Sequence, residues 1–193
     1  MMLKFTSILI ITTFFCTSPD NLMALETPKY NLLKKEKGFE IREYQSMIIA
    51  TTKVQNDYKT ATSTGFRRIA NYIFGGNSTG MSIEMTAPVI TNTPHINNVY
   101  EIQFVMPSKH SMGDLPQPNT NNVLIKEINL GKIAVLRFGG WATQNRALYY
   151  KEKLQNLLSK KGYRENGEYM IAQYNSPYVI PPFRKNEIMV SID

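Results

Sequence analysis

A single cysteine, Cys16, and two histidines, His95 and His110, are all that this 193-residue chain offers of the usual soft metal ligands. Cys16 lies in the N-terminal apolar segment, so the rest of the chain holds no thiol, which excludes a disulfide framework and a cysteine-based metal site. Two isolated histidines are too few for a histidine-rich zinc site. Charge is sparse as well: 19% of residues are charged against 42% hydrophobic, a balance that argues for a packed core rather than disorder. The apolar run Phe5 to Phe15 falls short of the ~20 residues a membrane-spanning helix needs. Catalytic signatures are missing too. No G-x-S-x-G elbow occurs, and Gly75-Gly76 lacks the Lys-Ser/Thr of a phosphate loop. Glu84, Glu101 and Glu187 carry no spacing that makes them a carboxylate pair, so the expectation is a protein that is not an enzyme.

The net charge is +7, but the basic residues are dispersed, with Lys34, Lys35 and Lys37 as the densest cluster. That pattern speaks against nucleic acid as a partner. It describes a solvated basic surface able to attract anionic small molecules or lipid headgroups.

At the N-terminus Lys4 precedes the apolar run, and Thr17, Ser18 and Pro19 follow it. A short positive region, a hydrophobic centre and a polar exit make the layout of a secretory signal peptide, here residues 1–24 with cleavage after Ala24. The expected location is therefore secreted, periplasmic or cell-envelope. A lipid anchor on Cys16 is the alternative, disfavoured because Phe14 and Phe15 stand where small residues are needed. Cleavage removes Lys4 and Asp20, leaving the charge of residues 25–193 at +7.

From Tyr30 onward the periodicity predicts short strands and two helices. Phe39–Tyr44 alternates apolar and polar residues, and Met47–Val54 is rich in Ile and Thr, so both read as strands. Asp57–Phe74 switches to helical spacing, with Asp57 as N-cap and Gly75-Gly76 as the stop. Met81–Ile90 and Asn98–Met106 read as strands, separated by a break at Asn92-Thr93-Pro94. Val123–Asn129 and Lys132–Phe138 read as a hairpin around Leu130-Gly131. A helix over Thr143–Lys161 follows, stopped by Gly162, then strands over Tyr169–Tyr174 and Asn186–Ile192. Each half thus runs strand, strand, helix, strand, strand. Eight short strands in two like halves predict an α+β fold: a distorted antiparallel β-barrel built as an internal repeat, with two helices packed outside.

At this point the residues resemble a known family. Met85-Thr86-Ala87-Pro88-Val89 matches the signature strand of SOUL heme-binding proteins. Further matches follow in order: Gly75-Gly76-Asn77, Phe104-Val105-Met106-Pro107, Leu115-Pro116-Gln117-Pro118, Arg137-Phe138-Gly139-Gly140, Tyr174-Asn175-Ser176-Pro177 and Arg184-Lys185-Asn186-Glu187-Ile188. The resemblance runs from about Glu26 to the C-terminus and implies the same two-repeat barrel. It also implies a noncatalytic carrier, buffer or sensor of heme or a related tetrapyrrole. The residues alone leave open a general hydrophobic small-molecule barrel, and an enzyme that processes tetrapyrroles.

The resemblance further implies that the ring lies on the first helix, near the loop before the last strand. Carried onto this chain, that names Phe66, Arg67, Ala70, Asn71 and Phe74, facing Tyr178, Val179, Ile180 and Phe183, with Arg67 and Arg68 pairing the propionates. The segment Pro177–Phe183 departs from some members in carrying no basic residue before Arg184. No iron ligand emerges: His95 and His110 sit in loops, and Tyr72, Tyr178 and the methionines are equally unspecific. Structural roles are expected for Pro88, at a strand edge or bulge, and for Arg184, Asn186 and Glu187, as a turn anchor.

Overall fold

The fold is taken from a computed structural model, which describes residues 25–92, 97–176 and 178–193. The signal segment, Cys16 and His95 lie outside the described residues. Nine strands form one antiparallel sheet. They are β1 (Tyr30–Glu36), β2 (Phe39–Tyr44), β3 (Met47–Gln55), β4 (Val89–Asn92), β5 (Val99–Val105), β6 (Leu124–Ile128), β7 (Gly131–Phe138), β8 (Met170–Gln173) and β9 (Asn186–Ser191). Two helices interrupt them, α1 (Tyr58–Ile73) after β3 and α2 (Gln144–Lys161) after β7.

Both helices begin and end where the local chemistry predicts. The Asp57 carboxylate accepts the Thr60 amide at 3.1 Å, and the Thr143 hydroxyl accepts the Arg146 amide at 3.4 Å. Gly162 closes α2 with φ +75°, a left-handed position that a side chain resists.

The sheet order is β1-β2-β7-β9-β8-β4-β5-β3-β6. That order forces a curl. β2 stands second and β3 eighth, so six strand spacings, about 29 Å if flat, separate them. Yet only Gln45 and Ser46 join them, a link that reaches at most about 11 Å. Asn129 and Leu130 impose the same closure between β6 and β7. The expected hairpin at Leu130-Gly131 is therefore not a pair: β6 bonds β3, and β7 bonds β2 and β9. A short loop signals adjacency in sequence, and here the adjacency runs across the mouth of the curl.

Two further expectations change. β1 was not among the predicted strands; its side chains are almost all exposed, so it has no alternating pattern to detect. It is an edge strand, and Lys34, Lys35 and Glu36 discourage further pairing. The predicted strand Met81–Ile90 is displaced to Val89–Asn92. Pro88 has no N–H for a ladder, and the irregular stretch before it is tied down by other bonds. Ile83 N–H reaches the Ile73 carbonyl at 2.7 Å, and the Thr86 hydroxyl reaches the Val105 carbonyl at 2.6 Å.

The two faces of the sheet bury different things. The outer face carries the helices over Ala50, Ile102, Phe104, Leu136, Ile171 and Ile188. Gly65 lets α1 sit directly on β5, since a Cβ there would stand 2.5 Å from the Ile102 side chain. No helix residue belongs to the inner cluster of Tyr44, Ile49, Ile90, Val105, Ile133, Val135, Ala172 and Met189, yet all are buried. The curl itself covers them.

Within that inner face sits a charge network. Arg42 uses all five guanidinium N–H donors: Nε and Nη2 to Glu40, Nη1 and Nη2 to Glu187, and Nη1 to the Tyr44 hydroxyl, at 2.7–3.1 Å. Tyr174 and Arg137 also donate to Glu187. Burial works against the Glu187 charge, but the bonds from Arg42 and Tyr174 and the Arg42 charge outweigh it and hold the carboxyl below its usual range. Burial and the neighbouring Glu187 push the Tyr174 phenol up.

Because folding lowers the Glu187 pKa, its contribution to stability is complete above the unfolded carboxylate value of about 4.3 and fades as pH falls through the folded value. Glu187→Gln leaves Arg42 with only Glu40 for charge balance and should cost about 3 kcal/mol near neutral pH. Urea unfolding across a pH series should show the gap between variant and wild type closing in acid; a gap that stays constant would remove the carboxylate from this role.

Candidate functional site

Each helix covers its own side of the sheet. α1 packs on β3 and β5, and α2 packs on β7 and β9. The strands between those pairs, β8 and β4, are hydrogen-bonded to each other at the centre of the sheet. Their outer face is therefore the floor of a groove. It has a volume of about 480 Å³ and opens to solvent on its outer side.

Lys59, Thr62, Ser63, Phe66 and Arg67 of α1 form one wall. Val89, Thr91 and Gln173 form the floor, and Trp141, Asn175 and Arg184 form the far wall. Phe66 is half-buried, its ring 5.2 Å from that of Phe104, so the core fixes it while one side faces the groove. The Arg184 guanidinium stacks 3.7 Å from the Trp141 ring and donates to the Ser176 carbonyl at 3.2 Å. Asn186, buried, donates to the Gly140 carbonyl at 2.8 Å, and Gly140 N–H reaches Pro181. The expected anchor forms from Arg184 and Asn186, which hold the loops around Trp141, but not from Glu187, which points to the opposite face and bonds Arg42 and Tyr174.

The floor carries one polar atom of note. The Thr91 hydroxyl is buried and has no hydrogen-bond partner among the described residues. An unsatisfied buried hydroxyl is costly, and a ligand's polar atom would relieve it. The groove thus offers apolar surface from Phe66, Val89 and Trp141, and cations from Lys59, Arg67 and Arg184. No acidic side chain is among its described lining residues. That composition suits a flat apolar ligand with anionic edges.

Of the residues expected to hold such a ligand, Phe66 and Arg67 line the groove. Ala70, Asn71 and Phe74 lie further along α1, Phe74 about 10 Å beyond Arg67 at 1.5 Å per residue, and do not line it. Phe74 is exposed, and the Asn71 carbonyl accepts the Gly76 amide. Tyr178, Val179, Ile180 and Phe183 stand on the loop before β9 and do not line it either. Arg68 turns away from the groove and donates to the Lys53 carbonyl at 3.1 Å.

Of the lining residues only Phe66 and Arg67 were expected as ligand contacts; the rest were missed, among them Lys59, Val89, Trp141 and Arg184. Trp141, the chain's only tryptophan, directly after the matched Gly139-Gly140, was the available signal.

Iron donors are absent from the lining: no histidine, cysteine, methionine or tyrosine is among its described residues. His110 lines a separate cavity of about 260 Å³ at the mouth of the curl, with Glu26, Lys29 and Glu127. Tyr72 is buried in the core with its hydroxyl on the Pro116 carbonyl.

The profile of the SOUL heme-binding protein family matches residues 25–191. The human protein named heme-binding protein 2 is 30% identical over 181 residues, covering 86% of this chain and 85% of its own length. The Xenopus laevis protein named heme-binding protein 1 is 28% identical over 157 residues, covering 78% and 82%. Among solved structures, a hydrolase from Listeria innocua superposes with a TM-score of 0.58 at 10% identity, covering 83% of this chain and 94% of its own. The C-terminal domain of EcmrR gives a TM-score of 0.58 at 13% identity, covering 85% and 98%. At such identities these two establish a shared fold alone.

Asn186→Ala should free the Gly140 carbonyl and loosen the Trp141 wall at a cost of about 1–2 kcal/mol. With one tryptophan in the chain, its emission should shift red and acrylamide quenching should rise; an unchanged spectrum would show that the wall is held by other contacts.

Proposed function

The chain belongs to the SOUL heme-binding protein family, and from that premise we propose that it is a noncatalytic, exported carrier, buffer or sensor that holds heme or a related tetrapyrrole in the groove between α1 and Trp141. The observation that carries the site is the combination in one cleft of Phe66, Val89 and Trp141 with Lys59, Arg67 and Arg184. The apolar residues match a macrocycle's face, and the cations match its carboxylates. Heme would supply a planar hydrophobic ring with two carboxylates; Phe66 and Trp141 would pack against the ring, and Arg67 and Lys59 would hold the carboxylates at the rim. The lining supports binding through ring and carboxylates without a side chain on the iron.

Export is the second part of this reading. It rests on Lys4, the apolar run and the polar exit, and the family match beginning at residue 25 is consistent with cleavage after Ala24. The strand order supports an internal repeat: leaving aside the edge strand β1, exchanging β2, β3, β4 and β5 for β6, β7, β8 and β9 and reading from the other end reproduces it.

Trp141 in the wall makes binding directly readable. Hemin and iron-free protoporphyrin should both quench its emission saturably, with dissociation constants within about tenfold of each other. Lys59→Ser with Arg67→Ser should weaken both by about tenfold or more. Absence of saturable quenching would sink the proposal, and hemin binding more than about a hundredfold tighter would mean that iron ligation dominates. Equal quenching by uncharged lipophilic compounds would favour a general hydrophobic binder.

Mass spectrometry of the protein recovered from its native host should find Leu25 at the N-terminus. An intact Met1 terminus would overturn export by this segment.

A further inference from the structure

Large apolar side chains crowd the surface beside the groove. Tyr178 is 92% exposed, Phe183 73% and Ile180 58%, all on one loop. The loop is not slack. Lys185 N–H bonds the Asn175 side chain, and Phe183 and Arg184 N–H close a single 3-10 turn over Pro181–Phe183. Gly140 N–H joins the Pro181 carbonyl at 3.2 Å, which docks the loop against the Trp141 segment. Trp141 itself is 49% exposed, and it shares a shallow depression with Pro181, Pro182 and Arg146. The loop thus presents aromatic and aliphatic tips, and through Pro181 and Pro182 it borders a half-exposed indole.

The charge around this patch is of one sign. Arg146 lines the depression, Lys59 and Arg67 line the adjoining groove, and Lys185 stands at the loop's end with its ammonium 3.9 Å from the Tyr174 ring. No acidic side chain is among the described residues lining either hollow. Tyr and Trp are the side chains that settle at a membrane interface, with Ile and Phe reaching below it. Lysine and arginine beside them gain from a negative leaflet. A contiguous exposed apolar patch of this kind marks an interaction surface.

The geometry points to an anionic lipid surface as the partner of this face, with Tyr178, Ile180, Phe183 and Trp141 entering the headgroup layer and the cations contacting lipid phosphates. The groove mouth would then open onto the bilayer, but the docking does not depend on what the groove holds.

The test uses the mature chain without porphyrin, so that a failure of tetrapyrrole binding and a failure of docking are separately visible. The protein is sedimented with vesicles of phosphatidylcholine alone or mixed with phosphatidylglycerol. Binding to the mixed vesicles should be about tenfold stronger or more, should fall with added salt, and should shift Trp141 emission to the blue. Ile180→Ser with Phe183→Ser should lose binding about tenfold while the far-ultraviolet circular dichroism and melting temperature stay at wild-type values, since both side chains are exposed. Tyr178→Ser, tested alone, gives a second reading should the double variant misfold. No association with anionic vesicles, or equal association by the folded loop variants, overturns the proposal. So does a concentration-dependent dimer that these variants abolish without any vesicle binding, which would make the face a contact between two copies.

Discussion

The constraint on which the rest of the structure depends is the mismatch between sheet order and loop length. Two residues join β2 to β3, and two join β6 to β7, although each pair stands six places apart in the sheet. Only a curled sheet satisfies both links. Once it curls, the inner face closes on Ile49, Val105, Ile133 and Val135 without help from a helix. The helices are left to the outer face, one over each flank, and a groove opens between them over Val89, Thr91 and Gln173 of the central pair β4–β8. The groove is thus a consequence of topology, and side chains decide only what it accepts.

The entry into β9 couples the two faces. Successive residues on a strand point to opposite sides. Glu187 turns inward to Arg42 and Tyr174, while Asn186 turns outward to Gly140, and Arg184 just before them stacks on Trp141. Burying Arg42 and Glu187 is tolerable because every guanidinium donor is used and both charges are matched. Such a pair adds little net energy but strongly disfavours other registers. A one-residue slip of β9 would turn Glu187 toward the helices and Asn186 inward. The same slip would dismantle the Trp141 wall, so the inner network fixes the position of the outer site.

What was legible in the sequence followed from local physics. The helix cap at Asp57 and the stop at Gly162 needed only neighbouring backbone groups and were read correctly, while Thr143, read as the first helical residue, is the cap of α2. The alternation in β2 was legible because Phe39 and Ile41 share the helix-covered face while Glu40 and Arg42 take the other, where the ion network holds them. β1 left no trace because neither face is buried, and the loop at Asn129-Leu130 misled because loop length carries no information about which strand lies alongside. The strand expected at Met81–Ile90 failed on Pro88, whose missing donor moved the ladder past it. In the groove, Phe66 and Arg67 could be named because the family resemblance places the ring on α1, in whose middle turn both stand. Trp141 and Arg184 could not be paired from sequence. They stand far apart in the chain, and only the anchoring of Gly140 by Asn186 brings indole and guanidinium together.

The chemistry of the lining sets the kind of binding the proposed ligand would experience. Iron coordination is what makes heme a permanent part of many proteins, and no histidine, cysteine, methionine or tyrosine is among the described residues lining this groove. What remains is contact with one or both ring faces and ion pairing at the edge. The groove is open outward, so a ring's outer edge stays wet and its carboxylates pair in a screened environment. Trp141 already has a guanidinium on one face, which leaves a ligand the other. Apolar burial at about 25 cal/mol per Å², reduced by the entropy of association, gives an affinity far below that of a resident prosthetic group. A ligand held in this way exchanges. Such a groove suits the proposed carrier or buffer better than a protein that keeps its tetrapyrrole for chemistry.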